Sequence, residues 1–214
     1  MNKDKDPLSP YCKQISINTG WKPKFNHNGI MKQVVITGTG RAGTTLLVSL
    51  FTKLGMGTGF SQKHIDHILN TESKGGLEQN GHEKFLQRRH IIKSPALYSR
   101  IDLLKNAEHV IIPIRNLKDS AKSRARIGQG VGGFWGRATD VKSQMNFNSQ
   151  VIYSLMYILS QFDVPFTFIQ FPRLAKDEDY LWKKLNWLFE DYNITPAKFK
   201  KIYNLTVNKR LINF

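Results

Sequence analysis

A single cysteine, Cys12, in 214 residues excludes an internal disulfide. It fits a reducing compartment, and the expected location is the cytoplasm. Long apolar runs are missing as well. Nothing approaches the roughly 18 consecutive apolar residues that a spanning helix needs, and the richest segment, Val151 to Leu159, is short and interrupted. Residues 1–30 hold no signal-peptide core. Acidic residues are scarce, sixteen against thirty-two Lys and Arg, and the formal charge of +16 biases the chain toward anionic partners. Charge does not choose the anion: a nucleic acid, a nucleotide or an acidic acceptor would each satisfy it. Metal-ligand spacing is also lacking. His64 and His67 stand three residues apart with Asp66 beside them, yet no further ligands follow at recognisable spacing, so no metal is expected.

What is present is ordinary for a folded chain: 40% hydrophobic and 22% charged residues, enough for one core of usual size. Residues 1–30 carry three prolines and no apolar run, which reads as an N-terminal arm ahead of a single domain over 31–214. Lys32 to Thr37 is a β-branched run that meets glycines at once, a strand ending in a tight turn. Leu46, Leu47, Leu50, Phe51 and Leu54 then repeat on one helical face, with Gly55 as the stop. Residues 56–81 are glycine-rich and read as an excursion around a short helix near His64 to Asn70.

Strands are expected at His90 to Lys93, His109 to Ile114 and Phe166 to Phe171. Helices are expected across Leu97 to Lys105, Leu117 to Arg126, Asp140 to Gln161 and Asp179 to Phe189, then a shorter helix and a tail. On the long helix Val141, Met145, Ile152, Leu155, Met156 and Leu159 form the expected apolar stripe. This alternation predicts an α/β fold: a three-layer domain whose central parallel sheet is flanked by helices. Ligands of such sheets sit beyond the carboxyl ends of the strands. Arg41, Lys93 and Arg115 all fall at or near such ends.

Three readings compete for the glycine loop Gly38 to Thr45. Gly38-Thr39-Gly40-Arg41-Ala42-Gly43 matches the dinucleotide fingerprint, but no second strand ends in an acidic residue about 20 positions on. The same residues nearly fit the nucleotide triphosphatase loop, except that Thr44 stands where a lysine should reach the terminal phosphates. The strand HVIIPIRN also lacks the magnesium-organising aspartate. The third reading is a phosphate cradle whose cation is Arg41.

Arg41-Ala42-Gly43-Thr44-Thr45 resembles the [KR]-[ST]-G-T-T segment of sulfotransferases that use 3′-phosphoadenosine-5′-phosphosulfate (PAPS), most closely its arginine form in the tyrosylprotein branch. Arg115 followed by Ser123 resembles the family's 3′-phosphate motif, an arginine after a strand and a serine eight residues on. Lys93-Ser94-Pro95 resembles its lysine before a proline, in the family's order. Gly40 stands in place of a usual proline, Ala42 in place of a usual serine, and the C-terminal G-x-x-G-x-x-K segment of cytosolic relatives has no counterpart.

The resemblance implies a P-loop-type sulfotransferase that moves a sulfonyl group from PAPS to a hydroxyl or amine and leaves 3′,5′-adenosine bisphosphate. Gly40, Arg41, Ala42, Gly43, Thr44, Thr45, Arg115 and Ser123 would bind the nucleotide, with Arg41 and Lys93 stabilising charge on the transferring group. The glutamate base of the tyrosylprotein branch falls near Gln62, which cannot take a proton, and His64 is the leading substitute. The acceptor would be a small molecule, carbohydrate or peptide, anionic ones being favoured by the charge. Two other functions fit the residues less completely: a phosphotransferase with a degenerate loop, and a noncatalytic nucleotide- or nucleic-acid-binding protein. Trp135 is expected either to stack on a ligand or to pack in a loop. Trp182 and Trp187 are expected to pack, and Lys122, Arg124 and Arg126 to form a solvated helix face.

Overall fold

In the computed structural model, residues 8–69, 76–78, 89–128 and 132–207 are described. Four short strands, β1 (Val34–Ile36), β2 (Ile91–Lys93), β3 (His109–Ile114) and β4 (Phe166–Gln170), form one sheet. All neighbours are parallel, in the order β2-β1-β3-β4. Ile36 pairs with Lys93 on one side and Ile111 on the other, and Ile114 pairs with Gln170.

The strands are apolar throughout because both faces are covered. Val34, Ile36, Ile91, Ile111 and Ile169 look into one cluster, while Val35, Ile92, Val110 and Ile112 look into the other. The first cluster is closed by α2 (Thr44–Lys53), α7 (Glu178–Asp191) and α8 (Pro196–Thr206), and the second by α6 (Val141–Gln161) with the turns Pro95–Ser99 and α4 (Ile101–Leu104). Two further helices are α3 (Gln62–Leu69) and α5 (Leu117–Ala125). The fold is therefore α/β, a parallel sheet between two helical layers. Among the described residues no helix is long and apolar enough to cross a membrane.

Local chemistry sets the boundaries. Gly55 takes φ 86° and returns its N–H to Thr52 O, which ends α2 where the sequence placed the stop. Asp140 and Ser143 form a reciprocal capping box at the start of α6. The helix expected over Leu97 to Lys105 is broken instead: Ser94 and Pro95 open a tight 3₁₀ turn, and only one α turn follows at α4.

Two expectations are corrected. The segment read as a loose arm carries α1 (Pro10–Thr19), capped by Ser9, and buries Cys12 and Trp21, each 1% exposed, in the first cluster. Leu8, Tyr11, Cys12 and Ile15 recur at helical spacing and pack in or against that cluster, a short period that the three prolines and polar neighbours obscured. On α6 the buried stripe is rotated: Gln144 and Asn148 are fully buried beside Val151, Leu155, Ile158 and Leu159, whereas Met145, Ile152 and Met156 are only half-buried. Polar residues entered the core because a polar partner waits there, as the site makes plain. The expected end of the short helix at Asn70 and the C-terminal tail lie outside the described residues.

Candidate functional site

Parallel strands bring their carboxyl ends to one edge, and β1 runs there directly into residues 38–43. Gly38, Gly40 and Gly43 take φ of 138°, 67° and 90°, and Arg41 between them takes 53°. Gly40 and Arg41 are consecutive left-handed residues and Gly43 is a third, a tight turn of the kind that suits an anion at the start of α2. The φ of Gly40 explains one departure from the resembled motif, because proline is locked near −65° and cannot stand there. Ala42 is fully buried, so a hydroxyl at that position would need a partner inside the core.

Arg41 holds a conformation that costs a non-glycine residue about 1–2 kcal/mol, and its neighbours fix it. Its Nε donates to Ser123 Oγ at 3.2 Å, and its carbonyl accepts from Arg115 at 3.4 Å. The Arg115 guanidinium lies 5.0 Å from the centre of the Phe171 ring. Burial lowers the pKa of Arg41 first and the nearby Arg115 charge lowers it further. Burial also lowers Arg115, with Asp119 opposing and Arg126 reinforcing. Cations held close against mutual repulsion gain from an anion between them. A hollow of about 400 Å³ opens beside them, lined by Arg115, Asn116 and Asp119 after β3 and by Gln170, Phe171 and Pro172 after β4.

Lys93 ends β2 and is only 1% exposed. Its Nζ donates to Gly76 O at 2.5 Å and pairs with Glu78 at 3.1 Å. Thr45 Oγ1 donates to the same Gly76 carbonyl at 3.3 Å, which joins Lys93 to the glycine loop. Burial lowers the Lys93 pKa and Glu78 counters it. Thr44 is buried at the first position of α2.

His64 is exposed, and its Nδ1 accepts from the Ser61 N–H at 3.0 Å. It thus occupies the place of the capping-box glutamate at the start of α3. Gln62 donates to Asp66 at 2.7 Å on the outer side of that helix. Among the described residues no group of three or more His, Cys, Asp or Glu is placed to hold a metal.

Two residues absent from the sequence-based site contact its members. Glu78 is one, the carboxylate on Lys93. No pattern in the glycine-rich excursion distinguishes it.

Arg124 is the other and corrects the solvated face expected of α5. It is 5% exposed and donates to Thr39 O at 2.7 Å and Gly133 O at 2.6 Å, with its guanidinium 5.2 Å from the Trp135 ring centre. Burial lowers its pKa to about 10, Arg41 adding to the effect and Glu78 opposing it. Its signal was available: Ser120, Ala121, Ser123 and Arg124 share one face, and the first three are small enough for close approach.

A Cβ on Gly40 would stand 2.5 Å from the Arg124 Nη2, so glycine there also makes room for this strut. Trp135 packs against Tyr98 and Phe147 and donates its backbone N–H to Gln144 Oε1 at 2.7 Å. Gln144 donates to Asn148, Asn148 to Ser120, and Ser120 to Gly40 O, at 3.0, 3.4 and 3.3 Å. That directed chain is why α6 buries two amides, and it ties the helix to the glycine loop. Trp182 packs on Phe189 and Phe199, and Trp187 on His109.

No family model and no curated protein matches the chain. Two solved structures resemble it. One is the sulfotransferase domain from the curacin biosynthetic pathway, 15% identical with a TM-score of 0.49, the match covering 80% of this chain and 77% of that one. The other is the sulfotransferase domain from the Synechococcus PCC 7002 olefin synthase, 13% identical with a TM-score of 0.45, covering 85% and 78%. At this identity and superposition neither likeness speaks to chemistry.

Proposed function

We propose that the chain forms a PAPS-dependent sulfotransferase domain whose core takes in the N-terminal helix, acting in the cytoplasm and nearest in motif to the tyrosylprotein branch. The observation that carries the proposal is the meeting of Arg41, Ser123 and Arg115, three residues from two separate segments, at the mouth of the glycine loop. Arg115 and Ser123 would hold the 3′-phosphate of the donor by charge-assisted hydrogen bonds. The hollow against Phe171 would take the adenosine. The N–H groups of Gly43, Thr44 and Thr45 would cradle the phosphosulfate end.

In the reaction the acceptor oxygen forms a bond to sulfur while the bond from sulfur to the bridging oxygen breaks. The electron pair stays on that oxygen, now part of adenosine bisphosphate, and the acceptor proton passes to a base. Arg41 and Lys93 stabilise the charge growing on the bridging and sulfonyl oxygens. For the base, the geometry favours Glu78 over His64: Glu78 contacts Lys93, while one nitrogen of His64 is taken by the cap of α3. Replacing Glu78 by Gln should lower kcat far more than His64→Gln. The reverse order would restore His64 to the role.

The direct test is radiolabelled sulfonate transfer from PAPS to a mixed panel of phenols, sugars and tyrosine peptides. Wild type should transfer, and Arg41→Ala should lose about a hundred- to thousandfold in kcat. Turnover by Arg41→Ala at the wild-type rate would defeat the assignment.

A further inference from the structure

A second hollow lies between α3 and the strap Gly76 to Glu78, and it is of a different character. Phe60, Ile68 and Leu77 supply its apolar surface, the exposed Lys63, His64 and His67 of α3 line it as well, and Glu78, which pairs with Lys93, completes it. Its volume is about 260 Å³, at or just under the lower end of ligand cavities, which start near 300 Å³. That space suits one ring or a short chain and is too small for a disaccharide. The Arg89 guanidinium sits 5.7 Å from the centre of the Phe60 ring, a further cation beside one of the lining residues.

The strap is built to this shape. Leu77 is held at φ 55°, a left-handed conformation unfavourable for leucine, and its side chain is 5% exposed. Strain of this kind persists only where surrounding contacts impose it. Here Lys93 and Thr45 both hold the Gly76 carbonyl, and Glu78 is held by Lys93. A Cβ on Gly76 would collide with Ile68 Cδ1, so the strap and α3 are already in close contact. The backbone is therefore fixed on both sides of Leu77, with its side chain on the hollow.

We infer that this hollow binds the acceptor, and that the acceptor is a small alcohol or phenol with an apolar body of about one ring and an anionic group at the far end. Its hydroxyl lies at Glu78 and Lys93, its body against Phe60, Ile68 and Leu77, and its anion by Lys63 and Arg89. A polyhydroxylated sugar of equal size is disfavoured, because the hydroxyls that face Phe60, Ile68 and Leu77 would lose water without gaining partners. This inference rests on the sulfotransferase reading, and the test separates the two.

The wild-type protein is saturated with adenosine bisphosphate, and binding of para-hydroxyphenylpropionate, para-ethylphenol and N-acetylglucosamine is measured by calorimetry. Both phenols should bind, the carboxylate more tightly, and the sugar should not. Ile68→Ala should weaken both phenols about tenfold, and Lys63→Gln should weaken only the carboxylate, about threefold, with nucleotide affinity unchanged in both variants. Binding of the sugar in preference to the phenols, or phenol binding indifferent to Ile68→Ala, would overturn the inference while leaving the enzyme class intact. Absence of adenosine bisphosphate binding would instead remove the reading beneath it.

Discussion

Replacing Gly40 by Ala tests whether Arg124 braces the glycine loop. Two costs add. Alanine at φ 67° loses about 1–2 kcal/mol against glycine, and its Cβ would stand 2.5 Å from the Arg124 Nη2. A guanidinium tip ordinarily swings aside at little cost. This one is pinned to the Thr39 and Gly133 carbonyls, so yielding breaks a hydrogen bond from a charged donor, worth about 1.5–3 kcal/mol. The sum is about 2.5–5 kcal/mol in the wild-type background. In an Arg124→Ala background the second cost vanishes, and Gly40→Ala should cost only about 1–2 kcal/mol. Urea unfolding of the four proteins gives the coupling directly, expected at about 1.5–3 kcal/mol. Additivity within about 0.5 kcal/mol would refute the strut.

Arg115→Ala should weaken adenosine bisphosphate by about ten- to a hundredfold, the worth of one charge-assisted bond, and leave AMP within twofold, as calorimetry would show. Asn148→Leu removes the centre of the chain from Trp135 to Gly40. It should cost about 2–3 kcal/mol through unpaired buried groups, read as a lower urea midpoint. Acid should act in two stages. Burial lowers the His109 pKa to about 4, with Glu108 opposing. Its stabilisation is complete above about 6.5, the unfolded value, and is lost as pH falls through 4. Burial alone would raise Glu108, but hydrogen bonds from His90 and Lys24 outweigh it and hold it at about 2, so its contribution fades from about 4.5 downward. His109→Phe should flatten the upper limb of an unfolding-midpoint profile between pH 6.5 and 4 by about 1 kcal/mol after solvent screening.

The sheet was legible because its strands are apolar runs set between helical periods, and β3 falls on the residues that pattern picks out, His109 to Ile114. Arg41, Ser123 and Arg115 were picked out by their resemblance to the sulfotransferase motifs, and the structure brings them into contact. Other features left no such mark. Glu78 reaches Lys93 through a strap whose path depends on tertiary contacts. Gln144 and Asn148 are buried because Ser120 and the Trp135 N–H face them, a pairing invisible along the chain. Trp21 enters the core just beyond the end of α1, stacked on Tyr192 and tilted against His90, contacts that no local pattern announces.

Calorimetric titration with adenosine bisphosphate and, separately, with ATP and magnesium tests the central claim most directly. Saturable one-to-one binding of adenosine bisphosphate, abolished by the Arg41→Ala, Arg115→Ala double variant and not matched by ATP with magnesium, is the predicted result. Tighter binding of ATP with magnesium, or no binding of adenosine bisphosphate, would contradict the account.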